Sequence, residues 1–261
     1  MGYEFIDFEK IEDHIAAVTL KQPKRLNAIN GTMLEELSHA VNAIERDRDI
    51  HVWLLTGAPR LDGRPCFSAG VDLKAVAEGK SMGDNLGPTV TNNIDDMLKP
   101  SIAVIDGVAT TGAIELALSC DLRVVGEGAQ ISDWHLKNLG TGLGGWGATT
   151  RWSRLVGVNR TKEIILTGKV VTAEEAYRIG FANAVFPSDK LWDEALGMAR
   201  TIAGMSPEGV RVTLAHLDHT MDMSRDEALR FAQLAPKWFR LRGTFEERSK
   251  GVLDKGKDPE A

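Results

Sequence analysis

Two glycine-bearing turns are the parts of this sequence best suited to chemistry. The first turn lies in residues 67–74 (FSAGVDLK) and the second in residues 107–116 (GVATTGAIEL). Each leads from an apolar, strand-like run into a helix, so each leaves backbone N–H groups without partners at a helix start. Because two such N–H groups can bind one oxygen, the pair predicts a site that stabilises an enolate or another oxyanion.

A glutamate adds a proton-transfer group to the second turn. Glu115 comes three residues after Gly112, inside an otherwise apolar helix start, residues 114–118 (IELAL). A carboxylate in such surroundings must find a partner or hydrogen bonds, or else take up a proton, and the last property suits a general acid or base. We therefore predict that Glu115 moves a proton. The structural alternative is a favourable charge at a helix N-terminus.

Alternating strands and helices are expected to position these turns. Apolar or β-branched runs predict strands at residues 15–20, 52–56, 102–105 and 122–125. Helix starts are predicted by capping-box spacing or a Ser-Pro pair at residues 32–35, 172–175, 206–207 and 224–227. The order is ββα repeated, and after Lys162 the pattern becomes mainly helical. The sequence thus predicts an α/β core followed by a helical tail.

Composition agrees with a soluble enzyme and excludes several other classes. A net charge of -6 over 261 residues lacks the basic stripe that binding of nucleic acid requires. No apolar run approaches the roughly 20 residues that cross a bilayer, and the N-terminus is too polar for a secretory signal. Cys66 and Cys120 are predicted to be buried thiols in a reducing compartment. We expect a cytoplasmic location, with no nucleic-acid or membrane partner.

The motifs together resemble the crotonase, or enoyl-CoA hydratase/isomerase, superfamily. Besides the two turns, they comprise residues 22–30 (QPKRLNAIN), 120–123 (CDLR), 166–168 (LTG) and 173–176 (AEEA). The resemblance implies an α/β fold: a crotonase-like spiral of ββα turns with a C-terminal helical region. Residues 1–195 would form the core domain with the CoA and oxyanion sites, and residues 196–261 a helical trimerisation region.

The resemblance also implies a substrate, an assembly and site residues. An acyl-CoA or enoyl-CoA thioester would be the substrate, with no cofactor beyond its own CoA and no metal, in a homotrimer or a dimer of trimers. The N–H groups of Val71 and Gly112 match the oxyanion hole, although members usually carry three glycines where this chain has Thr111-Gly112-Ala113. Residues at CoA-binding positions are Lys24, Arg25, Ala69, Asp72, Leu73, Lys74 and Lys257.

The second acid–base position departs from the superfamily pattern. Resembling hydratases carry two glutamates; Glu115 matches the first, but counting forward from Ala129 places His135 at the second, and counting back from Arg151 places it nearer Lys137. We predict that His135 or Asp133 assists, with packing as the alternative for the histidine. Besides hydratase or isomerase chemistry, two functions stay open: hydrolysis of a carbon–carbon bond, in a β-diketone or by ring opening, and non-catalytic binding of acyl-CoA.

Overall fold

The computed structural model describes residues 2–238 and 245–255, in two compact units. The units are Met1–Ala203 and Gly204–Ala261. The boundary expected after residue 195 falls inside a helix, Leu191–Ala203, which belongs wholly to the first unit. The helix stays with that unit because Ala195 and Ala199 are fully buried in an apolar cluster with its strands.

Strands of the first unit form a six-stranded and a four-stranded sheet. In chain order they are β1 (Ile6–Glu12), β2 (Ile15–Leu20), β3 (Val52–Gly57), β4 (Cys66–Ser68), β5 (Ser101–Ile105), β6 (Val108–Thr110), β7 (Leu122–Gly126), β8 (Gln130–Ser132), β9 (Val170–Thr172) and β10 (Ala184–Phe186). The larger sheet has the order β1-β2-β3-β5-β7-β10 and the smaller one β4-β6-β8-β9.

Helices connect and cover the sheets. In the first unit they are α1 (Gly31–Arg46), α2 (Leu73–Ala77), α3 (Leu86–Asp95), α4 (Gly112–Ser119), α5 (His135–Leu139), α6 (Ala148–Val156), α7 (Val158–Thr167), α8 (Ala173–Arg178) and α9 (Leu191–Ala203). In the second unit they are α10 (Pro207–Thr220), α11 (Arg225–Trp238) and α12 (Phe245–Lys255). None of the described helices has both the length and the apolar character that crossing a membrane requires.

The chain alternates between the two sheets, which produces the spiral. β3, β5 and β7 are parallel neighbours in the larger sheet, whereas β4, β6 and β8, which follow them in the chain, are parallel neighbours in the smaller one. Each pair of strands is followed by a helix before the next pair begins. This confirms the predicted α/β class with repeated ββα turns and a helical C-terminal part.

Most predicted elements are present, with one wrong helix start. The four predicted strands are β2, β3, β5 and β7. Thr172, Ser206 and Ser224 cap α8, α10 and α11 by accepting a backbone N–H. The capping box at residues 32–35 is wrong, since α1 begins at Gly31. Asn30 in extended conformation supplies the cap instead, accepting the Met33 N–H, and asparagine is among the strongest residues at that position.

Burial of α4 encloses the glutamate of the second turn. All eight residues of this helix are buried, and the apolar ones pack in the main core with residues of α1, α3 and α6. Glu115 is 1% exposed, so its carboxylate must find its partners within the protein.

The two cysteines are buried free thiols as predicted, and burial raises the pKa of Cys66 to about 11 and of Cys120 to about 12.

Candidate active site

Three neighbouring strands of the smaller sheet bring the predicted site residues together. β4, β6 and β8 lie side by side and parallel, with β6 in the middle. β4 ends at Ser68, β6 at Thr110 and β8 at Ser132. The two glycine turns follow the first two strands, and the segment with His135 follows the third. Because parallel strands share their carboxyl edge, residues far apart in sequence meet there, where α/β sheets bind ligands.

The two glycine turns pack directly on one another. Gly70 has φ +80°, and a Cβ there would lie 2.6 Å from the Thr110 carbonyl oxygen and 3.1 Å from the Gly112 nitrogen. A Cβ at Gly112 would lie 3.2 Å from Cγ2 of Val71. Neither the Val71 N–H nor the Gly112 N–H donates a hydrogen bond within the described residues. Two free backbone donors on touching turns are the arrangement that an oxyanion hole needs.

Thr111 holds the second turn in a conformation unusual for a residue with a side chain. Its φ is 55° and ψ is -116°, a backbone region that costs of order 1–3 kcal/mol outside glycine. Its hydroxyl lies 3.0 Å from that of Thr110, which accepts a hydrogen bond from the buried Ser132 hydroxyl at 2.9 Å. This chain of hydroxyls holds the turn that presents the Gly112 N–H, despite the strain.

The Glu115 carboxylate is held by donors on both of its oxygens. Oε1 accepts the backbone N–H groups of Trp146, at 2.8 Å, and of Ala148, at 3.1 Å. Oε2 lies 3.3 Å from Nε2 of His135. The predicted proton-transfer glutamate is therefore paired and hydrogen-bonded. One backbone donor, Trp146, lies in the loop between α5 and α6, and the other, Ala148, is the first residue of α6, so the end of this loop fixes where the carboxylate lies.

His135 lies between two carboxylates. Its Nδ1 is 2.8 Å from Oδ1 of Asp133, and its Nε2 faces Glu115. Burial opposes a charge on the ring, but the hydrogen bonds and negative charges of Asp133 and Glu115 outweigh it and raise the pKa of His135 to about 9. The ring is therefore an imidazolium at neutral pH, whereas an ordinary histidine, with a pKa of 6.5, is mostly neutral there. Asp133 Oδ2 is buried and has no hydrogen-bond partner in the described structure.

The predicted CoA-binding residues come from adjacent segments. A short 3-10 turn, Pro23–Arg25, carries Lys24 and Arg25 and lies against the start of the first glycine turn. Ala69 donates its N–H to the carbonyl oxygen of Leu26 at 2.8 Å, which joins the two segments. Lys24 is exposed. The fold thus brings together a basic turn and the segment that holds the Val71 N–H.

An ion pair within this group was not foreseen. Arg25 contacts the buried Asp72 carboxylate, with Nη2 2.7 Å from Oδ1. The same oxygen caps α2, so Asp72 fixes the turn that follows Val71 rather than facing solvent. Leu73 and Lys74 are exposed on α2. Lys257 lies outside the described residues.

Sequence reasoning missed the loop that surrounds Glu115. Gly144 has φ +66°, and a Cβ there would lie 2.8 Å from Glu115 Oε1 and overlap the Ala148 side chain. Arg151 anchors the loop: its guanidinium donates to the Trp146 carbonyl oxygen at 2.6 Å and forms an ion pair with Asp95 of α3 at 3.0 Å. The run of glycines at residues 140–147 signalled a constrained turn, but it did not signal which side chain the turn encloses.

The fold and the order of its turns define a crotonase-type protein. More specifically, the chain belongs to the enoyl-CoA hydratase/isomerase family, whose model matches residues 10–252. Two relatives are a short-chain-enoyl-CoA hydratase of Clostridium acetobutylicum, 34% identical over 84% of both chains, and a crotonyl-CoA hydratase of Syntrophomonas wolfei, 33% identical over 88% of this chain and 87% of the relative.

Solved structures agree with this assignment. An enoyl-CoA hydratase from Bacillus anthracis superposes with a TM-score of 0.87 at 27% identity, covering 97% of each chain. A monofunctional enoyl CoA isomerase from M. smegmatis superposes with a TM-score of 0.73 at 28% identity, covering 86% of this chain and 97% of the isomerase. The protein is therefore an enoyl-CoA hydratase/isomerase-like enzyme, and its similarity extends to structures named for both reactions.

Proposed function

We propose that this enzyme transfers protons on an enoyl-CoA thioester whose carbonyl oxygen is bound by the N–H groups of Val71 and Gly112. The observation that supports this most is the ion-paired Glu115 and His135 beside the Gly112 turn. The two N–H groups stabilise the negative charge that forms on the thioester oxygen when an acyl carbon loses a proton or water adds to the double bond. No cofactor beyond the CoA of the substrate takes part.

Glu115 and His135 have different parts in the proton transfer. The Glu115 carboxylate accepts a proton from water or from an acyl carbon and passes that same proton on to the enolate carbon. The His135 imidazolium, whose charge Asp133 maintains, keeps its own proton and supplies the positive partner of the carboxylate. An imidazolium and a carboxylate thus take the place of the two carboxylates that hydration usually employs.

A specific observation also favours isomerisation. Both ring nitrogens of His135 are already engaged, Nδ1 by Asp133 and Nε2 by Glu115. The pair therefore acts as one proton carrier. One carrier is sufficient to take a proton from one acyl carbon and return it to another, which shifts the double bond without water.

A mass-spectrometric assay in heavy-oxygen water tests the proposal. The purified protein is incubated with a panel of 2-enoyl-CoA and 3-enoyl-CoA thioesters. Hydration adds heavy oxygen to the product, isomerisation moves the double bond without adding oxygen, and carbon–carbon hydrolysis divides the acyl group. We expect one of the first two outcomes. Binding without any turnover across the panel would contradict the proposal.

Glu115→Gln tests the assigned residue. The amide keeps the shape of the side chain but cannot carry the proton, so we expect turnover to fall by about 10²–10⁴-fold while acyl-CoA binding, measured by calorimetry, is largely kept. Ser119→Ala on the same helix, which loses one local hydrogen bond to the Leu116 carbonyl oxygen, is the matched control for a change within buried α4. Wild-type turnover in the Glu115 variant would remove this residue from the mechanism.

A further inference from the structure

We propose that Trp146 sets the length of the acyl group, so that the natural thioester of this enzyme carries a short chain. This inference rests on the proposed function, because it concerns the part of the same substrate that lies beyond the thioester. It assigns a specificity-determining role to a side chain whose backbone N–H already binds Glu115.

The indole of Trp146 lies against the second glycine turn. A Cβ at Gly112 would be 3.0 Å from Cζ3 of the ring and 3.4 Å from Cη2. The same position would be 3.2 Å from Cγ2 of Val71. The six-membered ring of the indole therefore borders Gly112, which carries one proposed oxyanion donor, and the side chain of Val71, which carries the other, lies near the same point. A thioester whose oxygen is bound there has the indole as an immediate neighbour.

The other edge of the indole reaches α3. A Cβ at Gly87 would overlap Cε2 and Nε1 of the ring, so this glycine is what permits the ring to approach the helix so closely. The indole thus spans the space between the start of α4 and the start of α3. Trp146 thus contacts the Gly112 turn and α3 through its ring, and the proposed proton-transfer group Glu115 through its backbone N–H.

The ring cannot move away easily because its backbone is tied at several points. The Trp146 N–H binds Glu115, and its carbonyl oxygen accepts from the Thr91 hydroxyl at 2.9 Å and from Arg151 at 2.6 Å. Arg151 also donates to Asn92 of α3 at 2.8 Å. A longer acyl chain would have to displace an anchored aromatic ring, whereas a short chain would end before it.

A side chain that limits the length of the acyl group changes kcat/KM by a known order of magnitude. One methylene group too many or too few in an apolar pocket changes kcat/KM by about 10–200-fold. Replacing the indole by a methyl group removes a large apolar side chain from the space between α3 and the Gly112 turn and leaves the backbone N–H to Glu115 in place. Trp146→Ala therefore removes the side chain proposed to limit the acyl length and leaves the proton-transfer group, Glu115, in place.

The experiment measures kcat/KM for crotonyl-, octenoyl- and decenoyl-CoA, and the dissociation constants of the saturated butyryl- and decanoyl-CoA. We expect wild type to prefer the short chain, and Trp146→Ala to raise the ratio of long-chain to short-chain kcat/KM by about 10-fold or more. The matched control is Trp192→Ala, a partly buried tryptophan on α9 that packs in the other apolar cluster. That variant should keep the wild-type ratio.

A second variant displaces the indole without replacing it. Gly87→Ala adds a Cβ where the ring now lies, while alanine suits the helix. We expect a change in chain-length ratio in this variant too. Gly197→Ala, in α9 with no atom within 4 Å of the added Cβ, is the matched control and should behave as wild type.

The outcomes separate this inference from the proposed function. If wild type turns over enoyl-CoA but Trp146→Ala and Gly87→Ala both leave the chain-length ratio unchanged, the inference is wrong and the proposed function stands. If wild type binds thioesters without turnover, the proposed function fails, and the two dissociation constants in wild type and Trp146→Ala then decide the inference. Equal wild-type preference for short and long chains overturns it directly.

Discussion

His135 shows how two neighbours change the chemistry of one side chain. From sequence it was a candidate base as much as an acid. Burial alone would favour the neutral ring, but hydrogen bonds and charges from Asp133 and Glu115 raise its pKa to about 9. At neutral pH the ring therefore carries its proton, so it cannot begin the reaction as a base. Its proposed role is to hold a positive charge beside the Glu115 carboxylate.

The pH dependence of the rate tests this role. If the imidazolium is required, titration of His135 should not change kcat/KM around neutral pH, where the ring keeps its proton. The value of kcat/KM should fall as pH rises through about 9, because the ring loses its proton there. A profile measured for wild type and for His135→Gln should show the alkaline decline only in wild type. A rate that increases through the same pH range would instead identify neutral histidine as the base.

Residue types and the resemblance to the superfamily together predict the candidate site residues. Glu115 is proposed from its place in an apolar helix start just after a glycine turn, whereas Val71 and Gly112 are proposed because their turns match the motifs of the superfamily. The pairing of Arg25 with Asp72, and of His135 with Glu115, could not be predicted, because these contacts depend on how segments far apart in sequence are placed. Spacing in the sequence predicts which residues are neighbours along the chain, whereas contacts between distant segments are seen only in the folded structure.

At the scale of elements, the loop between α5 and α6 fixes the position of the Glu115 carboxylate. Gly144→Ala would add a Cβ 2.8 Å from Glu115 Oε1 at a residue with φ +66°. We expect turnover to fall by up to about 10²-fold, because a displacement of about 1 Å in a catalytic group has effects of that size. The conformational strain should also lower the free energy of unfolding by about 1–2 kcal/mol.

Gly145→Ala is the matched control for that prediction. It is the next residue in the same loop, but a Cβ there meets no atom within 4 Å, and its φ is not positive. Turnover and the urea-unfolding free energy should both remain near wild type. If the two variants behave alike, the loop tolerates movement and does not fix the Glu115 carboxylate.

The elements themselves were predicted unevenly for a physical reason. β2, β3, β5 and β7 have five or six residues each, most of them apolar and buried within a sheet, and such runs are visible in sequence. β4, β6 and β8 have three residues each, which is too short for a periodic pattern, although these are the strands that carry the site. Their pairing depends on the larger sheet, which brings consecutive repeats into register.

At the scale of the whole molecule, the alternation between sheets determines where chemistry can take place. Each repeat adds one strand to the larger sheet and one to the smaller, so the carboxyl ends of the short strands accumulate at one edge of the first unit. The family assignment is consistent with a CoA-thioester substrate. The trimer or dimer of trimers expected from sequence stays a prediction, which the mass of the protein in solution, measured by light scattering, would test.

The raised pKa of His135 also links the stability of the folded protein to pH. The folded pKa of about 9 exceeds the ordinary value of 6.5, so the folded state binds more protons between these values. The stabilisation from this group should be complete below pH 6.5 and be lost as pH rises through about 9, with a total on the order of 3 kcal/mol. His51, whose pKa burial lowers, acts at more acidic pH and in the opposite direction.

Unfolding in urea at several pH values across this range, for wild type and for His135→Gln, isolates the contribution of this histidine. The difference in unfolding free energy between the two proteins should favour wild type most strongly at the acidic end of the range and shrink as pH rises through about 9. Other titrating groups, such as the cysteines whose pKa values burial raises, are common to both proteins and cancel in the difference. A difference that does not vary with pH would mean that His135 does not bind its proton more tightly in the folded protein, and the imidazolium assigned to the active site would have to be abandoned.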